Sequence, residues 1–293
     1  MIISVGEILF DLFPQGRQLG GAPFNFAFHL KQLGLPVRFI SRVGRDDMGR
    51  EIHDILGQNG FDTEDVPMDS HHPTGTVTVA LEEGEPQYTI TPEVAWDYLE
   101  WNAQFNDAPA FLYFGTLAQR TPQGQAFIKE LVQKMPPDTR IFADINLRPG
   151  SDDPGIIQST LDMAHILKLN GHELFHIWSI SLEGPRLAHA VRHQMQRHNL
   201  DLVILTLGPR GSLWVTQEES WPCNAVPLEN SENTVGAGDA FAAVCIAGMI
   251  HGLHPRQILA RASAFATQIC TGKGALPDHP GAYTALKQNI GVP

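Results

Sequence analysis

Asn233-Thr234-Val235-Gly236-Ala237-Gly238-Asp239-Ala240-Phe241 places a glycine-bracketed turn at the mouth of an apolar helical stretch that runs to His251, with an aspartate on its first turn. A helix N-terminus exposes unpaired N–H groups and the positive end of the macrodipole, so it favours anions. Glycines let that backbone approach a phosphate closely, because no side chain intervenes. A carboxylate beside such a cradle is a poor choice for holding phosphate alone. It fits a site where a proton must be accepted while negative charge gathers on a moving phosphoryl group. Gly-x-Gly can also be a plain tight turn, and an Asp at a helix start a plain cap.

Working outward from this segment, short apolar runs alternate with stretches of helical period, the pattern of an α/β domain with a mostly parallel sheet. Strands are expected at Ile2–Val5, Val37–Ser41, Ala110–Phe114, Arg140–Asp144, Ile166–Leu169 and Leu202–Leu207. Helices are expected at Pro23–Leu33, Met48–Asn59, Pro122–Lys134, Gly184–Arg197, Gly236–His251 and Pro255–Thr271. Pro23, Pro122 and Pro255 stand where a helix begins, a position that tolerates proline. One region breaks the rhythm. Thr76–Leu81 and Gln87–Thr91 are β-prone and flank Glu82-Glu83-Gly84-Glu85-Pro86, an acidic hairpin turn that Leu9–Phe13 is expected to join. Such an excursion is either a lid that excludes water or a simple extension of the sheet.

Further polar clusters sit where strands end, the usual place for ligands in open α/β sheets. Gly20-Gly21-Ala22-Pro23-Phe24-Asn25 again opens a helix, with Asp11 upstream. An amide, a carboxylate and bare glycine backbone suit a polyhydroxylated ligand, although alone the segment reads as a turn with a local cap. Asp144-Ile145-Asn146-Leu147-Arg148-Pro149 follows one strand and Leu169-Asn170-Gly171-His172-Glu173 another. Asn170 and Glu173, three apart, form either a capping box or a water-mediated Mg²⁺ and phosphate shell, capping being the simpler reading. Thr206-Leu207-Gly208-Pro209-Arg210-Gly211 leads into a strand at Ser212–Val215, in a turn that would let backbone pass close to a nucleotide.

Several function classes drop out. The 293 residues are 43% hydrophobic and 18% charged, ordinary for one globular domain, and the net charge of −12 argues against nucleic-acid or anionic-membrane partners. There is no GxxxxGK[ST] and no GxGxxG after the first strand, which argues against P-loop and dinucleotide-binding folds. The histidines, His71-His72, His189, His193 and His198 among them, lack metal-ligand spacing, and the three cysteines lack CxxC pairing. Met1 to Phe10 has no basic leader and no apolar run is long enough to span a bilayer, so a soluble, cytoplasmic protein is expected.

The order of these clusters resembles the ribokinase-like sugar kinases, the PfkB carbohydrate kinase family. The likeness runs through Gly6-Glu7 and Asp11, Gly20 to Asn25, Gly44-Arg45-Asp46-Asp47-Met48-Gly49, Thr206 to Gly211 and Thr234 to Phe241. Pro73-Thr74-Gly75-Thr76-Val77, Ala95-Trp96-Asp97 and Phe114-Gly115-Thr116-Leu117-Ala118-Gln119-Arg120 look most like its fructokinase branch. The resemblance implies one three-layer α/β/α domain over residues 1–293, with a small β-hairpin lid from about residues 9–19 and 74–95. It implies ATP with Mg²⁺, and a sugar acceptor, fructose first, with 2-keto-3-deoxygluconate or ribose as alternatives and a silent sugar-binding regulator as another class. By this resemblance Asp239 is the base, and Gly236, Ala237 and Gly238 form the anion hole. Asp11, Gly21, Asn25 and Arg148 hold the sugar, while Asn170 and Glu173 stand near phosphate and Mg²⁺. Thr206, Gly208, Gly211 and Lys273-Gly274-Ala275 line the nucleotide site. Relatives often pair through the lid, which makes a homodimer an expectation, supported by the alternating Val77, Val79 and Leu81. The family usually carries Asp where this chain has Asn233, beside a monovalent-cation site. An amide keeps the oxygen but not the charge, so a weakened or missing K⁺ site is expected.

Overall fold

Strands buried on both faces and helices with one apolar stripe can satisfy each other only by stacking in layers. The computed structural model describes residues 1–14, 16–82, 85–101, 108–182, 186–228, 234–272, 274–277 and 280–291. In chain order it contains β1 (Ile2–Val5), β2 (Leu9–Phe13), β3 (Gly16–Gly20), α1 (Ala22–Gln32), β4 (Val37–Ile40), β5 (Val43–Gly44), α2 (Asp47–Gln58), β6 (Met68–Asp69), β7 (Gly75–Glu82) and β8 (Glu85–Ile90). There follow β9 (Phe111–Gly115), α3 (Pro122–Lys134), β10 (Arg140–Asp144), α4 (Pro154–Met163), β11 (Ile166–Asn170), α5 (Gly171–Trp178), α6 (Leu187–His198), β12 (Leu202–Thr206), β13 (Ser212–Thr216), β14 (Ser220–Cys223), α7 (Ala237–Ile250), α8 (Pro255–Cys270) and α9 (Thr284–Ile290).

An eight-stranded sheet runs β14-β13-β12-β11-β10-β9-β1-β4. Its pairs from β4 across to β12 are parallel, and β13 and β14 close one edge antiparallel. The period-2 pleat divides the core. Ile2, Phe111, Tyr113, Phe142 and Ile166 face α1, α7 and α8, whereas Ile3, Leu112, Phe114, Ile141 and Leu167 face α3 to α6. This is the mostly parallel α/β sheet expected from the sequence. At the centre of the first layer lies α7, buried without a break from Asp239 to Gly248.

The departing segments form a sheet of their own, in the order β3-β2-β7-β8. Leu9–Phe13 joins the hairpin as expected, pairing parallel with β7, and Leu9 and Val77 bury a small apolar face with Phe13 and Ile90. Arg17 on β3 pairs with Glu51 on α2, tying this sheet to the body. The structure corrects details of the expected elements. α4 and β14 appear where no element was expected, and the helix expected from Gly184 begins at Leu187. Gly184, the Glu83-Gly84 tip, Asn233 and Lys273 lie outside the described residues, as do the side chains of Val79 and Leu81. Among the described residues no helix is long and apolar enough to cross a membrane.

Candidate active site

Two helix N-termini meet above the carboxyl ends of the parallel strands. α1 starts at Gly21, whose φ of 114° suits glycine, and Ser4 on β1 donates to the Pro23 carbonyl at 2.8 Å to hold the turn down. A Cβ at Gly21 would stand 2.4 Å from the Glu7 carbonyl oxygen, so bare backbone is required there. α7 starts at Gly236, left-handed at φ 79°, where a Cβ would stand 2.5 Å from the Ala275 side chain. Neither helix has a side-chain cap. Asn25 instead reaches across, its Nδ2 donating to Asp239 Oδ2 at 2.8 Å, which sets aside the local-cap reading of both residues.

The electrostatics of this junction are unusual for buried groups. Burial, followed by the nearby Asp144 charge, pushes the Asp239 carboxyl up to about 7 against the hydrogen bond from Asn25 and the charges of Lys168 and Arg148. Glu7, in the turn after β1, is also pushed up to about 7 by burial, and Asp239 adds to the rise. Its carboxylate accepts from the backbone N–H groups of Glu7 and Ala22, while Oε2 is buried with no hydrogen-bond partner. Asp11 on β2 is raised to about 6 by burial, with Arg148 opposing. Arg148 is solvent-exposed, and its charge bears on Glu7, Asp11 and Asp239, so the residues expected on the sugar side share one electrostatic neighbourhood.

Across the sheet, Asn170 and Glu173 do form a capping box. Asn170 Oδ1 accepts from the N–H groups of His172 and Glu173, and Glu173 Oε2 accepts from Asn170 N–H at 2.7 Å. Glu173 Oε1 also accepts from Leu147 N–H at 3.0 Å, which locks the Arg148 turn to α5. Asn170 is the register partner of Thr206, so the turns that follow β11 and β12 are neighbours. Beyond Thr206, Gly208–Arg210 forms a single 3₁₀ turn, and Gly211 has φ 92° with a Cβ position 2.0 Å from the Cys223 carbonyl oxygen. Gly274 lies beside the second sheet, its Cβ position 3.3 Å from Gln18 Oε1.

Sequence reasoning gave no role to Glu7, Asp144 or Lys168. Lys168 Nζ donates to Asp144 Oδ1 and Oδ2 at 2.9 and 2.7 Å, and the Tyr113 hydroxyl donates to Oδ2 at 3.1 Å. The available signal was a pair of opposite charges near the ends of consecutive apolar strands, Arg140–Asp144 and Ile166–Asn170. In a sheet covered on both faces such charges cannot reach water and must meet each other.

Comparison with known proteins shows the family and the fold. The family profile described as "pfkB family carbohydrate kinase" matches residues 14–280. A fructokinase of Salmonella typhimurium is 30% identical over 299 residues, covering 94% of this chain and 95% of that protein. The structure of a fructokinase double mutant from Vibrio cholerae O395, in a fructose-, ADP- and potassium-bound form, matches with a TM-score of 0.80 at 22% identity over 96% of both chains. An uncharacterized sugar kinase from Pyrococcus horikoshii in complex with ATP gives 0.76 at 23% identity over 94% of both chains. These structures carry the fold, which is ribokinase-like.

Proposed function

The chain belongs to the pfkB family of carbohydrate kinases, and from that premise we propose that it transfers the γ-phosphoryl group of ATP to a primary hydroxyl of a monosaccharide, fructose before others. The observation that carries the reading is the Asn25–Asp239 contact, which joins the start of the sugar-side helix to the carboxylate beside the glycine turn, 214 residues apart in sequence. Asp239 takes the proton of the attacking hydroxyl, the hydroxyl oxygen forms the bond to γ-phosphorus, and ADP leaves. The N–H groups of Gly236, Ala237 and Gly238 bind the charge that develops on the phosphoryl oxygens. Asp11, Gly21, Asn25 and Arg148 hold the sugar; Asn170, Thr206, Gly208, Gly211 and Gly274 border the nucleotide.

Glu173 and Asn170 fit a role near Mg²⁺, since a carboxylate that accepts two N–H bonds keeps lone pairs for a metal-bound water. The ion would neutralise phosphate charge during transfer. Fructose is favoured by the fructokinase relative at 30% identity. The exposed guanidinium of Arg148 supports a second acceptor class, a sugar acid such as 2-keto-3-deoxygluconate, because Arg pairs bidentately with carboxylate. We place the enzyme in the cytoplasm, with the second sheet as its lid and a homodimer formed through that sheet.

The deciding experiment supplies Mg²⁺-ATP with a panel of sugars and follows ADP release in wild type and Asp239→Asn. Turnover should fall about 10²–10⁴-fold in the variant while sugar binding is largely spared. A variant as fast as wild type would remove Asp239 from the reaction. Sugar binding without ADP release from any acceptor would favour a regulatory protein. With Asn233 in place of the usual Asp, turnover should change little when K⁺ replaces an inert cation, and a steep saturable rise would contradict this.

A further inference from the structure

The pleat turns Tyr113 of β9, Asp144 of β10 and Lys168 of β11 to one side, the side of α1 and α7, because they share parity with Phe111, Phe142 and Ile166. Asp144 and Lys168 are register partners at the carboxyl ends of their strands. Their side chains are only 2% and 7% exposed, with both Lys168 bonds going to Asp144. Such a pair is a poor way to hold a sheet together, since the cost of desolvating both ions offsets most of their attraction, and two apolar side chains would serve as well. Its position supplies a better reason. Lys168 Nζ lies 3.4 Å from the point where a side chain would begin at Gly238, which puts the ammonium end of the pair directly against the glycine turn.

Both charges reach Asp239. The Asp144 carboxylate raises its affinity for a proton and the Lys168 ammonium lowers it. The other groups around Asp239 are Asn25 of α1, which donates a hydrogen bond, Glu7 after β1, Tyr113 of β9 and Arg148 after β10. On α7 itself Cys245 feels the same two charges. Arg148 is exposed, whereas Lys168 is the buried cation of the group.

We infer that Asp144 and Lys168 are positioning residues for phosphoryl transfer, a fixed buried ion pair that sets the charge of Asp239 and places a permanent cation beneath the Gly236–Gly238 turn. This rests on Asp239 being the base. Tyr113 holds the carboxylate end in place, and the short reach of Gly238 lets the ammonium end touch the turn. The pair therefore acts through Asp239 and the turn.

Opposite charges must act in opposite directions, which separates this role from a structural one. The test compares Asp144→Asn, of equal length, with Lys168→Gln, one atom shorter, each keeping a hydrogen-bonding side chain, after thermal melts show that they fold. The Asp239 carboxyl is titrated by ¹³C NMR, its resonance assigned by loss in Asp239→Asn, and the acid limb of kcat is measured alongside. Asp144→Asn should move both to lower pH and Lys168→Gln to higher pH, each by about one pH unit, with the sugar KM changed less than about threefold. Shifts in the same direction, or none, would overturn the inference. If Lys168→Gln does not fold, Asp144→Asn decides alone: a downward displacement supports the inference and an unmoved titration ends it. The NMR titration needs no turnover, so a wild type that phosphorylates no sugar would end the kinase reading while leaving this result intact.

Discussion

Glu7 accepts from its own backbone N–H and from that of Ala22 at the start of α1, yet its Oε2 is buried without a partner, so the fold holds a carboxyl it does not fully satisfy. Its value is raised from 4.5 to about 7. A raised acid binds its proton more tightly in the folded state, so the stability it contributes is full below about pH 4.5 and is lost as pH rises through about 7. Glu7→Gln carries no charge at any pH and keeps an acceptor for Ala22 N–H. Its melting temperature should therefore gain on wild type between pH 5 and pH 8, with a ceiling of about 3 kcal/mol, lowered because Glu7 and Asp239 titrate as a pair. Equal melting temperatures at both pH values would show that Glu7 carries no such burden. Asp239 and Asn25 were legible in the sequence because glycine turns mark them. Glu7 was not, since what distinguishes it is an environment assembled from β1, α1 and α7.

The turn between β12 and β13 shows how an element is set by one backbone angle. Gly211 sits at φ 92° with the β14 backbone pressed against it, and Gly208 at φ 57° faces open space. Gly211→Ala should destabilise the protein by about 2–4 kcal/mol and raise the KM for ATP more than that for sugar. Gly208→Ala should cost only about 1 kcal/mol, the ordinary price of a left-handed alanine. Thermal melts with both KM values check this pair, and equal losses from the two substitutions would contradict it. The sequence marked the strand, the turn and β13, but not β14. Ser220-Trp221-Pro222-Cys223 is short and carries a proline, and as the edge strand its proline costs no ladder bond on the side facing away from β13.

At the scale of the molecule, the alternation of strands and helices and the projecting hairpin were readable in advance, because each rests on local periodicity. The order of strands in the sheet, and the meeting of Asp144 with Lys168, were not, since both depend on which crossovers place β10 beside β11. The second sheet touches the body through Phe10, Leu12 and Leu19, which pack into the main core, through Arg17 and Glu51 and through Gln18 near Gly274, and the apolar face that Leu9, Val77, Phe13 and Ile90 share is small. A face of that size gains from a second copy, so sedimentation should give a dimer, and a monomer at micromolar concentration would remove the homodimer.

The unbroken burial of α7 has a consequence for how the protein comes apart. Amides buried along Asp239 to Gly248 can exchange with solvent only when the whole α1, α7 and α8 layer opens, whereas β3 and β8, the edges of the smaller sheet, can fray independently. Under mild denaturant or limited proteolysis the molecule is expected to lose the order of its smaller sheet first and of α7 last, leaving an intermediate whose outer strands are open while the Asp239 carboxylate is still held in place.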